Sequence, residues 1–308
     1  MRIDPDLALT VAAVLDEGTL DAAARRLHVT PSAVSQRVKA LEEQVGQRLL
    51  VRSKPARPTA AGRVVAQFGR QVAAAEHDTA ATLGLTTDGA WARIAVAVNA
   101  DSLGAWLLDP LVRFADRHPV ELDLHREDQD RTARLLEDGT VVAALTSRSE
   151  PVPGCRVDAL GTMRFVAMAA PSWWRRWAPD GITTTVLESA PRIDYDRDDR
   201  LQRDWLVHHS VDPHRAPRHL VPSTHDITRA VLRGLGWALV PAQQAEPLVE
   251  RDELRALGSP EVTTELFWQS WKDHSDLLSA LTEEVVVEAR RRLSDAGARR
   301  PARRPRQD

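Results

Sequence analysis

The stretch DAAARRLHVTPSAVSQRVKALEEQVGQRLLVR, residues 21–52, decides the fold of the N-terminal part of the chain. Thr30 and Pro31 combine a capping side chain with a proline at the first helical position, so we expect a helix to begin there. Gly46 is its natural end. The apolar residues of this helix recur at spacings of four, three and four, which predicts a single buried stripe. They are Val34, Val38, Leu41 and Val45.

Two shorter helices are predicted before this one. The first runs from Pro5 to Glu17 and ends at Gly18, and the second is capped by Thr19 and continues through Leu27. The second and third helices are joined by the three-residue turn 28–30, which predicts a helix-turn-helix. In that motif, side chains at the start of the later helix reach base edges in the major groove, while basic side chains hold phosphates.

A basic loop and a long helix follow the helix-turn-helix. Leu49 to Val51 is predicted as a strand, and residues 52–58 contain too much proline to be helical, which indicates a wing. A plain three-helix bundle with a solvated basic face is the alternative, and the wing argues against it. Thr59 then caps a helix to about Leu85. Its apolar stripe predicts pairing with a second helix and hence dimerisation; the stripe is Ala61, Val65, Phe68, Val72 and Ala75.

Charge is distributed unevenly along the 308 residues. The formal net charge is -3, but residues 25–63 carry nine Lys and Arg against two acids, and residues 290–308 carry eight against two. A basic block on an acidic body suggests a module that binds a polyanion, because cations placed along phosphates release counterions. Basic runs are also often only solvated faces. The C-terminal ARRPARRPRQD, from Ala298 onward, is predicted not to fold by itself, and either touches DNA nonspecifically or has no role.

Several protein classes are excluded by missing features. Cys155 is the only cysteine, so an internal disulfide and a cysteine-based zinc cluster are impossible. The sequence has neither a long apolar segment nor a secretory start, which predicts a cytoplasmic protein without membrane insertion. A GxSxG elbow and a Walker loop are absent as well, so no enzyme is predicted. His208, His209 and His214 lack matching ligands, so no metal site is expected.

Strands alternate with helices in the remaining two thirds of the chain. Strands are predicted near residues 93–98, 121–125 and 141–145, with one helix opened by Asp101 and Ser102 and another over 129–137. Further strands near 164–169, 219–221 and 237–240 are each followed by helical segments and predict a second unit of the same kind. Strand-helix alternation is typical of parallel sheets, so the fold class is α/β.

The helix-turn-helix stretch resembles the DNA-binding domain of the LysR-type transcriptional regulators. LLVRSKPARPTAAG (49–62), AVNADSLGAWLL (97–108) and the ED of residues 127–128 resemble the branch that controls export of basic amino acids, the ArgP and LysG regulators. The similarity extends from about Leu7 to at least Trp271. It departs at Pro31, where many members have a glutamine that touches DNA. The resemblance implies DNA contacts from Thr30, Ser32, Ser35, Gln36, Arg37, Lys39, Arg52, Lys54 and Arg57.

The resemblance also implies a two-lobed α/β effector domain like that of periplasmic binding proteins. The chain is expected to cross between lobes near Leu160 and to return near Leu266. The implied division is a winged helix-turn-helix over 1–58, a linker and dimerisation helix over 59–88, a first lobe over 89–160 and 267–297, a second lobe over 161–266, and a disordered basic tail over 298–308. Effector binding is expected to favour one closure angle of the lobes and so to change how the subunits present their DNA heads.

A small effector is expected between these lobes, where strand ends and helix starts converge. Asn99 and Ser102 are predicted to hold its carboxylate. A cationic effector side chain needs carboxylates; the candidates are Asp101, Glu127, Asp128, Asp194 and Asp196. Ser223 and Thr224 are the candidates of the second lobe, and Trp268 resembles an aromatic residue near the hinge. Helix capping explains Asp101, Ser223 and Thr224 equally well, surface carboxylates are usually only solvated, and Trp268 also fits a plain core position.

These features together predict a cytoplasmic transcriptional regulator that senses L-lysine or L-arginine and controls the promoter of a basic amino-acid exporter. Its expected partners are double-stranded promoter DNA and further copies of itself, as a dimer or tetramer, with RNA polymerase as a further candidate. No cofactor and no membrane contact are expected. Two alternatives remain open: a LysR-type regulator of another small metabolite, and a mainly architectural DNA-binding protein without an effector.

Overall fold

The computed structural model describes residues 2–51, 53–83, 91–126, 129–272 and 275–294. The predicted site residues Arg52, Glu127 and Asp128 lie outside the described residues, as does the predicted C-terminal tail. No helix among the described residues combines the length and the hydropathy that a membrane span needs.

The described elements alternate between helices and strands. The helices are α1 (Pro5–Glu17), α2 (Leu20–Arg26), α3 (Pro31–Val45), α4 (Ala60–Thr82), α5 (Ala100–Ser102), α6 (Leu108–Arg117), α7 (Gln129–Glu137), α8 (Pro171–Trp177), α9 (Thr184–Ser189), α10 (Leu201–His208), α11 (Thr224–Leu232), α12 (Ala242–Glu250) and α13 (Asp276–Arg292). A π-helical turn, Leu103–Leu107, joins α5 to α6. The strands are β1 (Leu50–Val51), β2 (Arg57–Pro58), β3 (Ala92–Val98), β4 (Val120–Arg126), β5 (Ala143–Thr146), β6 (Cys155–Ala169), β7 (Arg192–Asp194), β8 (Arg218–Leu220), β9 (Ala238–Pro241), β10 (Arg255–Ala256) and β11 (Val262–Trp271).

Local caps explain where the first three helices begin. The side chains of Asp4, Thr19 and Thr30 accept hydrogen bonds from the backbone N–H groups of the first turns of α1, α2 and α3. Gly18 and Gly46 take left-handed conformations at the ends of α1 and α3, with φ of 73° and 74°. The helix-turn-helix predicted from the sequence is therefore confirmed.

Helix α4 packs closely against this N-terminal module through two glycines. A Cβ on Gly62 would lie 1.9 Å from the carbonyl oxygen of Leu49, and a Cβ on Gly69 would lie 2.6 Å from that of Ala8. Val65 is 3% exposed and belongs to the same core as α1 and α3.

Most residues of the apolar stripe of α4, which predicted pairing with a second helix, pack against residues of the same chain. Ala61, Val65 and Phe68 pack against the module's own core, and the pairing of α4 with a helix of a second chain stays a prediction. A heptad-like spacing fits any apolar partner, and part of this stripe uses the core of the same chain.

The wing is a short antiparallel pair held at its base. β1 pairs with β2, with Leu50 opposite Pro58 and Val51 opposite Arg57. The Thr59 hydroxyl donates to the carbonyl of Arg48 at 2.7 Å and accepts from the N–H of Gly62 at 3.0 Å. The cap of α4 therefore also fixes the wing.

The described chain divides into two compact units. The first contains residues up to Asn99, Leu111–Asp158 and Trp268–Glu284, so it includes the N-terminal module together with a portion of the α/β region. The second contains Ala100–Pro110, Ala159–Phe267 and the residues from Val285 onward. The chain passes between the units within both long strands, β6 and β11.

Each unit has its own strand arrangement. In the first, β3 runs parallel to β4 and to β5, as the strand-helix alternation predicted. In the second, β6 pairs antiparallel with β9 and with β10, whereas β7 and β8 are parallel. The prediction of a purely parallel second unit is therefore wrong. β6 begins at Cys155, so its direction in the second unit is set by a continuous strand and not by a strand-helix-strand connection.

Replacing Gly62 with alanine is expected to destabilise the first unit. The added methyl group would overlap a backbone carbonyl, which cannot move without shifting α4, so we expect a loss of at least about 1–3 kcal/mol in the free energy of unfolding. Thermal or denaturant unfolding measures the change. Gly104→Ala is the matched control, because its Cβ would meet no atom closer than 3.4 Å. Equal unfolding midpoints for the two variants would contradict the close approach of α4.

Candidate functional site

One face of α3 presents polar and basic side chains to solvent. Val34, Val38 and Leu41 are buried on the opposite face, which leaves Ser32, Gln36 and Lys39 exposed. The remaining predicted residues of the helix are Ser35 and Arg37, which are half-buried, and Thr30, which caps α3 through the N–H of Ala33.

The wing adds two exposed cations to the same module. Lys54 and Arg57 are both exposed. Glu42 of α3 was not singled out in the sequence, yet its carboxylate accepts from the N–H of Leu49 at 2.8 Å and pairs with Arg48 at 3.1 Å. The signal available in the sequence was an acidic residue within the otherwise basic stretch 25–63. Glu42 therefore positions the wing relative to α3, and the module can offer hydroxyl, amide and cationic groups to a polyanion.

Asp101 is the centre of a polar cluster in the second unit. The hydroxyl of Thr224, the first residue of α11, donates to the Asp101 carboxylate at 3.0 Å. Burial raises the pKa of Asp101, the hydrogen bond from Thr224 opposes that shift, and the charge of Asp199 adds to it. No arginine, lysine or histidine among the described residues forms an ion pair with Asp101. Its negative charge is therefore left without a compensating cation from this portion of the chain.

Two further residues extend this cluster. Thr228 of α11 donates to the side-chain carbonyl of Gln244 at 2.6 Å, and the Gln244 amide donates to the backbone carbonyl of Gly104 at 2.9 Å. Gly104 lies in the π-helical turn just after Asp101, and such turns are frequent at functional sites. Sequence reasoning missed Thr228 and Gln244 because isolated polar residues in amphipathic helices carry no motif. The network fixes α11, α12 and the Asp101 segment within the second unit.

Asp196 and Asp199 organise the loop before α10. The Asp196 carboxylate accepts from the N–H groups of Asp198 and Asp199 at 2.8 and 2.9 Å. The Asp199 carboxylate accepts from the N–H of Tyr195 at 2.8 Å. Asp196, a predicted effector ligand, is therefore occupied in shaping a turn, whereas Asp199, not singled out from the sequence, adds negative potential at Asp101.

Asp194 does not offer a free carboxylate. It is 2% exposed and pairs with Arg192, with the guanidinium Nε 2.9 Å from the carboxylate oxygen. Burial raises the pKa of Asp194, and the hydrogen bond and charge of Arg192 oppose that shift. A buried carboxylate that is matched by its own arginine is a structural ion pair. The expectation that Asp194 faces a cationic ligand is not supported by this arrangement.

The other predicted effector residues have separate environments. Ser223 caps α11 by accepting from the N–H of Asp226 at 3.3 Å, and Ser102 is fully buried with its hydroxyl 3.9 Å from the sulfur of Met163. Asn99 is half-buried just after β3. Trp268 has no exposed surface, and its indole N–H donates to the Thr282 hydroxyl at 3.0 Å, so this residue occupies a core position. Among the described residues there is no group of three or more His, Cys, Asp or Glu side chains placed to hold a metal ion.

Comparison with known proteins gives matches over nearly the whole chain. Residues 6–63 match the family described as "Bacterial regulatory helix-turn-helix protein, lysR family", and residues 88–290 match the "LysR substrate binding domain". The chain is 42% identical over 289 residues to the HTH-type transcriptional regulator LysG of Mycobacterium tuberculosis, a match that covers 92% of this chain and 93% of the relative.

The regulator LysG of Corynebacterium glutamicum is similar both in sequence and as a solved structure. The chain is 38% identical over 284 residues to the lysine export transcriptional regulatory protein LysG, covering 90% of this chain and 94% of the relative. It also resembles the solved structure of full-length LysG with bound effector Arg, with a TM-score of 0.75 and 35% identity over 94% of this chain and 99% of that one.

Replacing Asp101 with asparagine is expected to stabilise the protein at neutral pH. A carboxylate whose pKa is raised in the folded state disfavours folding when it is charged, and asparagine keeps an oxygen for Thr224 without the charge. We expect a gain larger than the about 0.5 kcal/mol typical of neutral surface changes. This gain in stability should shrink as the pH falls from the raised pKa of Asp101 to the ordinary pKa of an aspartate, because the wild-type carboxylate becomes protonated over that range.

Unfolding midpoints measured as a function of pH test this expectation. Asp226→Asn is the matched control, since Asp226 lies exposed on the same helix as Thr224. A loss of stability in Asp101→Asn at neutral pH would show that the Asp101 charge is compensated in the folded protein.

Proposed function

Since this chain belongs to the LysR family of bacterial regulatory helix-turn-helix proteins, we propose that it is a transcriptional regulator whose effector is a basic amino acid, L-lysine or L-arginine. Its regulated promoter is that of a basic amino-acid exporter. The lysine export regulator LysG of Corynebacterium glutamicum, 38% identical, supports this target. The LysG structure that carries bound arginine supports the effector class.

The observation that carries the effector proposal is the carboxylate of Asp101, which has no ion-pair partner among the residues that the structure describes. It is held by the neutral Thr224 hydroxyl and repelled by Asp199. Coulomb attraction to a cation is far stronger at a partly buried site than in water. An ammonium or guanidinium group that binds there is stabilised by both carboxylates, whereas a neutral side chain leaves the charge of Asp101 unmatched.

The α-carboxylate of the effector is assigned to Asn99 and Ser102, and Asp101 between them is assigned to the cationic group. Backbone N–H groups at the start of a helix attract an anion, and a helix begins at Ala100. Glu127 and Asp128 remain predicted contacts of the cationic group. Binding regulates only if the effector prefers one conformation of the protein over another.

The assignment of DNA contacts rests on α3 and the wing. Exposed Ser32 and Gln36 at the N-terminal half of α3 are suited to base edges, because hydroxyl and amide groups pair with them in the major groove. Lys54 and Arg57 are suited to phosphates. The other assigned contacts are Thr30, Ser35, Arg37, Lys39 and Arg52.

Partners and location follow from the same proposal. Double-stranded promoter DNA is the principal partner, and self-association as a dimer or tetramer lets two or more DNA-binding modules engage one operator. RNA polymerase is the further partner that an activating role requires. The protein works in the cytoplasm without a cofactor, and the relatives named above are regulators without a named enzymatic activity.

L-Lysine and L-arginine are expected to raise the unfolding midpoint, whereas neutral amino acids leave it unchanged. A ligand at about a hundred times its dissociation constant adds about 2.7 kcal/mol, which is a shift of a few degrees. Asp101→Asn should weaken binding by about 10- to 100-fold, because a hydrogen bond between charged groups is worth about 1.5–3 kcal/mol. Titration calorimetry measures the two affinities.

Asp226→Asn serves as the control and should bind like the wild type. If both basic amino acids fail to shift the midpoint while another metabolite does, the effector is of another class. If a selection experiment instead finds no preferred DNA sequence and no effector, the protein is mainly architectural. Unchanged affinity in Asp101→Asn would remove this carboxylate from the site.

Replacing Arg57 with alanine is expected to weaken binding to every DNA sequence. The slope of log affinity against log salt concentration should also become shallower, by the amount expected for about one phosphate contact. Gln36→Ala should instead weaken binding to the preferred sequence by about 1–3 kcal/mol and leave the salt dependence intact. Binding isotherms at several salt concentrations separate the two effects.

Arg251→Ala is the control, because it removes an exposed cation outside the DNA-binding module. An unchanged salt dependence in Arg57→Ala would remove the wing from the phosphate contacts.

A further inference from the structure

Arg70 of α4 joins the DNA-binding module to the α/β region of the first unit. One of its terminal nitrogens donates to the carboxylate of Asp16 in α1, and the other donates to the backbone carbonyl of Gly139, in the turn after α7. The side chains of Arg70 and Asp16 are only 17% and 15% exposed. This guanidinium therefore contacts α1 and the turn at Gly139 at the same time.

Arg93 of β3 makes a second connection between the same two regions. Its guanidinium lies 3.6 Å from the carboxylate of Glu17, at the end of α1, and 2.6 Å from that of Asp123 in β4. Burial alone would raise the pKa of Asp123, but the hydrogen bonds and charges of Arg93 and His125 lower it overall. The carboxylate is thus kept charged and holds Arg93 in place.

The turn at Gly139 is shaped for close contact with α4. Gly139 has a φ of +63°, and a Cβ at this position would lie 3.1 Å from the Cβ of Gln67 and 3.3 Å from a terminal nitrogen of Arg70. Next to it, Asp138 pairs with Arg63 of α4 at 3.0 Å. A side chain at residue 139 would push the turn away from the helix and stretch the bond to Arg70.

These contacts differ from ordinary surface ion pairs. An isolated exposed pair contributes little, but here several charges form a partly buried network, in which Arg26 also pairs with the acids that Arg70 and Arg93 contact on α1. The network acts on α1, which packs directly on the helix-turn-helix, so its geometry bears on the orientation of α3.

We propose that Arg70 and Arg93 form a bridge that fixes the orientation of the DNA-binding module, which comprises α1–α3 and the wing, against β3, β4 and the turn at Gly139 in the first unit, and that this bridge transmits the effector's influence to DNA. The transmission role rests on the proposed function. Both arginines are positioning residues, since neither is assigned to DNA or to the effector. The bridge supplies a physically continuous element whose equilibrium both binding events can bias.

The test compares two variants that lose bonds to the same acids. Arg70→Gln/Arg93→Gln removes the bridge. Arg26→Gln is the matched control, because Arg26 pairs with both Asp16 and Glu17, at 3.4 and 3.3 Å, but lies within the DNA-binding module. Gly139→Ala is a further variant that keeps both arginines and displaces the turn. Thermal unfolding verifies that each variant folds.

The first readout is an intramolecular distance measured by spin-label spectroscopy. Glu43→Cys on α3 and Asp116→Cys on α6 place labels at exposed positions, and the native Cys155 is buried. Labelled protein is mixed with excess unlabelled protein so that distances within one chain are seen. We expect a narrow distance distribution in the wild type and in Arg26→Gln, and a broad one in the bridge variant and in Gly139→Ala.

The second readout is the effect of L-arginine on DNA affinity. Allosteric coupling of about fivefold or more in the wild type should fall below about twofold in the bridge variant, while its thermal shift with L-arginine persists. An equally narrow distance distribution in the bridge variant overturns the bridge, whatever the effector is. Absence of any thermal shift in the wild type overturns the proposed function but leaves the distance result to decide the bridge. If the bridge variant shows a broad distance distribution but an unchanged effect of L-arginine on DNA affinity, the bridge does not transmit the effector's influence.

Discussion

Among the described residues, the carboxylate of Asp101 accepts a hydrogen bond from the neutral hydroxyl of Thr224 and is repelled by Asp199, and the proposed function depends on how that charge is compensated. A group in this situation disfavours the folded state in which it is charged, so its presence costs stability. Active and binding sites are where proteins retain such groups. In the proposed function, a cationic effector supplies the missing charge and so links ligand chemistry to the free energy of the second unit.

The first unit is built to hold a DNA-binding module in a defined orientation. Gly62 and Gly69 let α4 approach the backbone of the module at distances that no side chain allows. Arg70 and Arg93 then connect α1 to the sheet of β3 and β4 and to the turn at Gly139. Close packing and ion pairs connect the module to this sheet within the first unit, and the proposed bridge acts through these contacts.

The sequence predicts those features that depend on neighbouring residues. Thr30 and Gly46 bound α3 correctly because capping is local, and the parallel β3, β4 and β5 follow from strand-helix alternation. Features that depend on distant residues were missed, because the direction of β6 and the use of the α4 stripe are decided by tertiary packing. The ion pair of Asp194 was missed for a different reason. Its partner Arg192 lies two residues away on the same strand face, so this pairing was a local signal that the sequence interpretation did not use.

Titration calorimetry with L-arginine and with L-citrulline is the decisive test of effector selection by charge. The two molecules have nearly the same shape, but the guanidinium of arginine is replaced by a neutral urea group in citrulline. If the Asp101 carboxylate selects its effector by charge, citrulline should bind at least about 10- to 100-fold more weakly, the value of a charged hydrogen bond. Equal affinities for arginine and citrulline would contradict selection by this carboxylate.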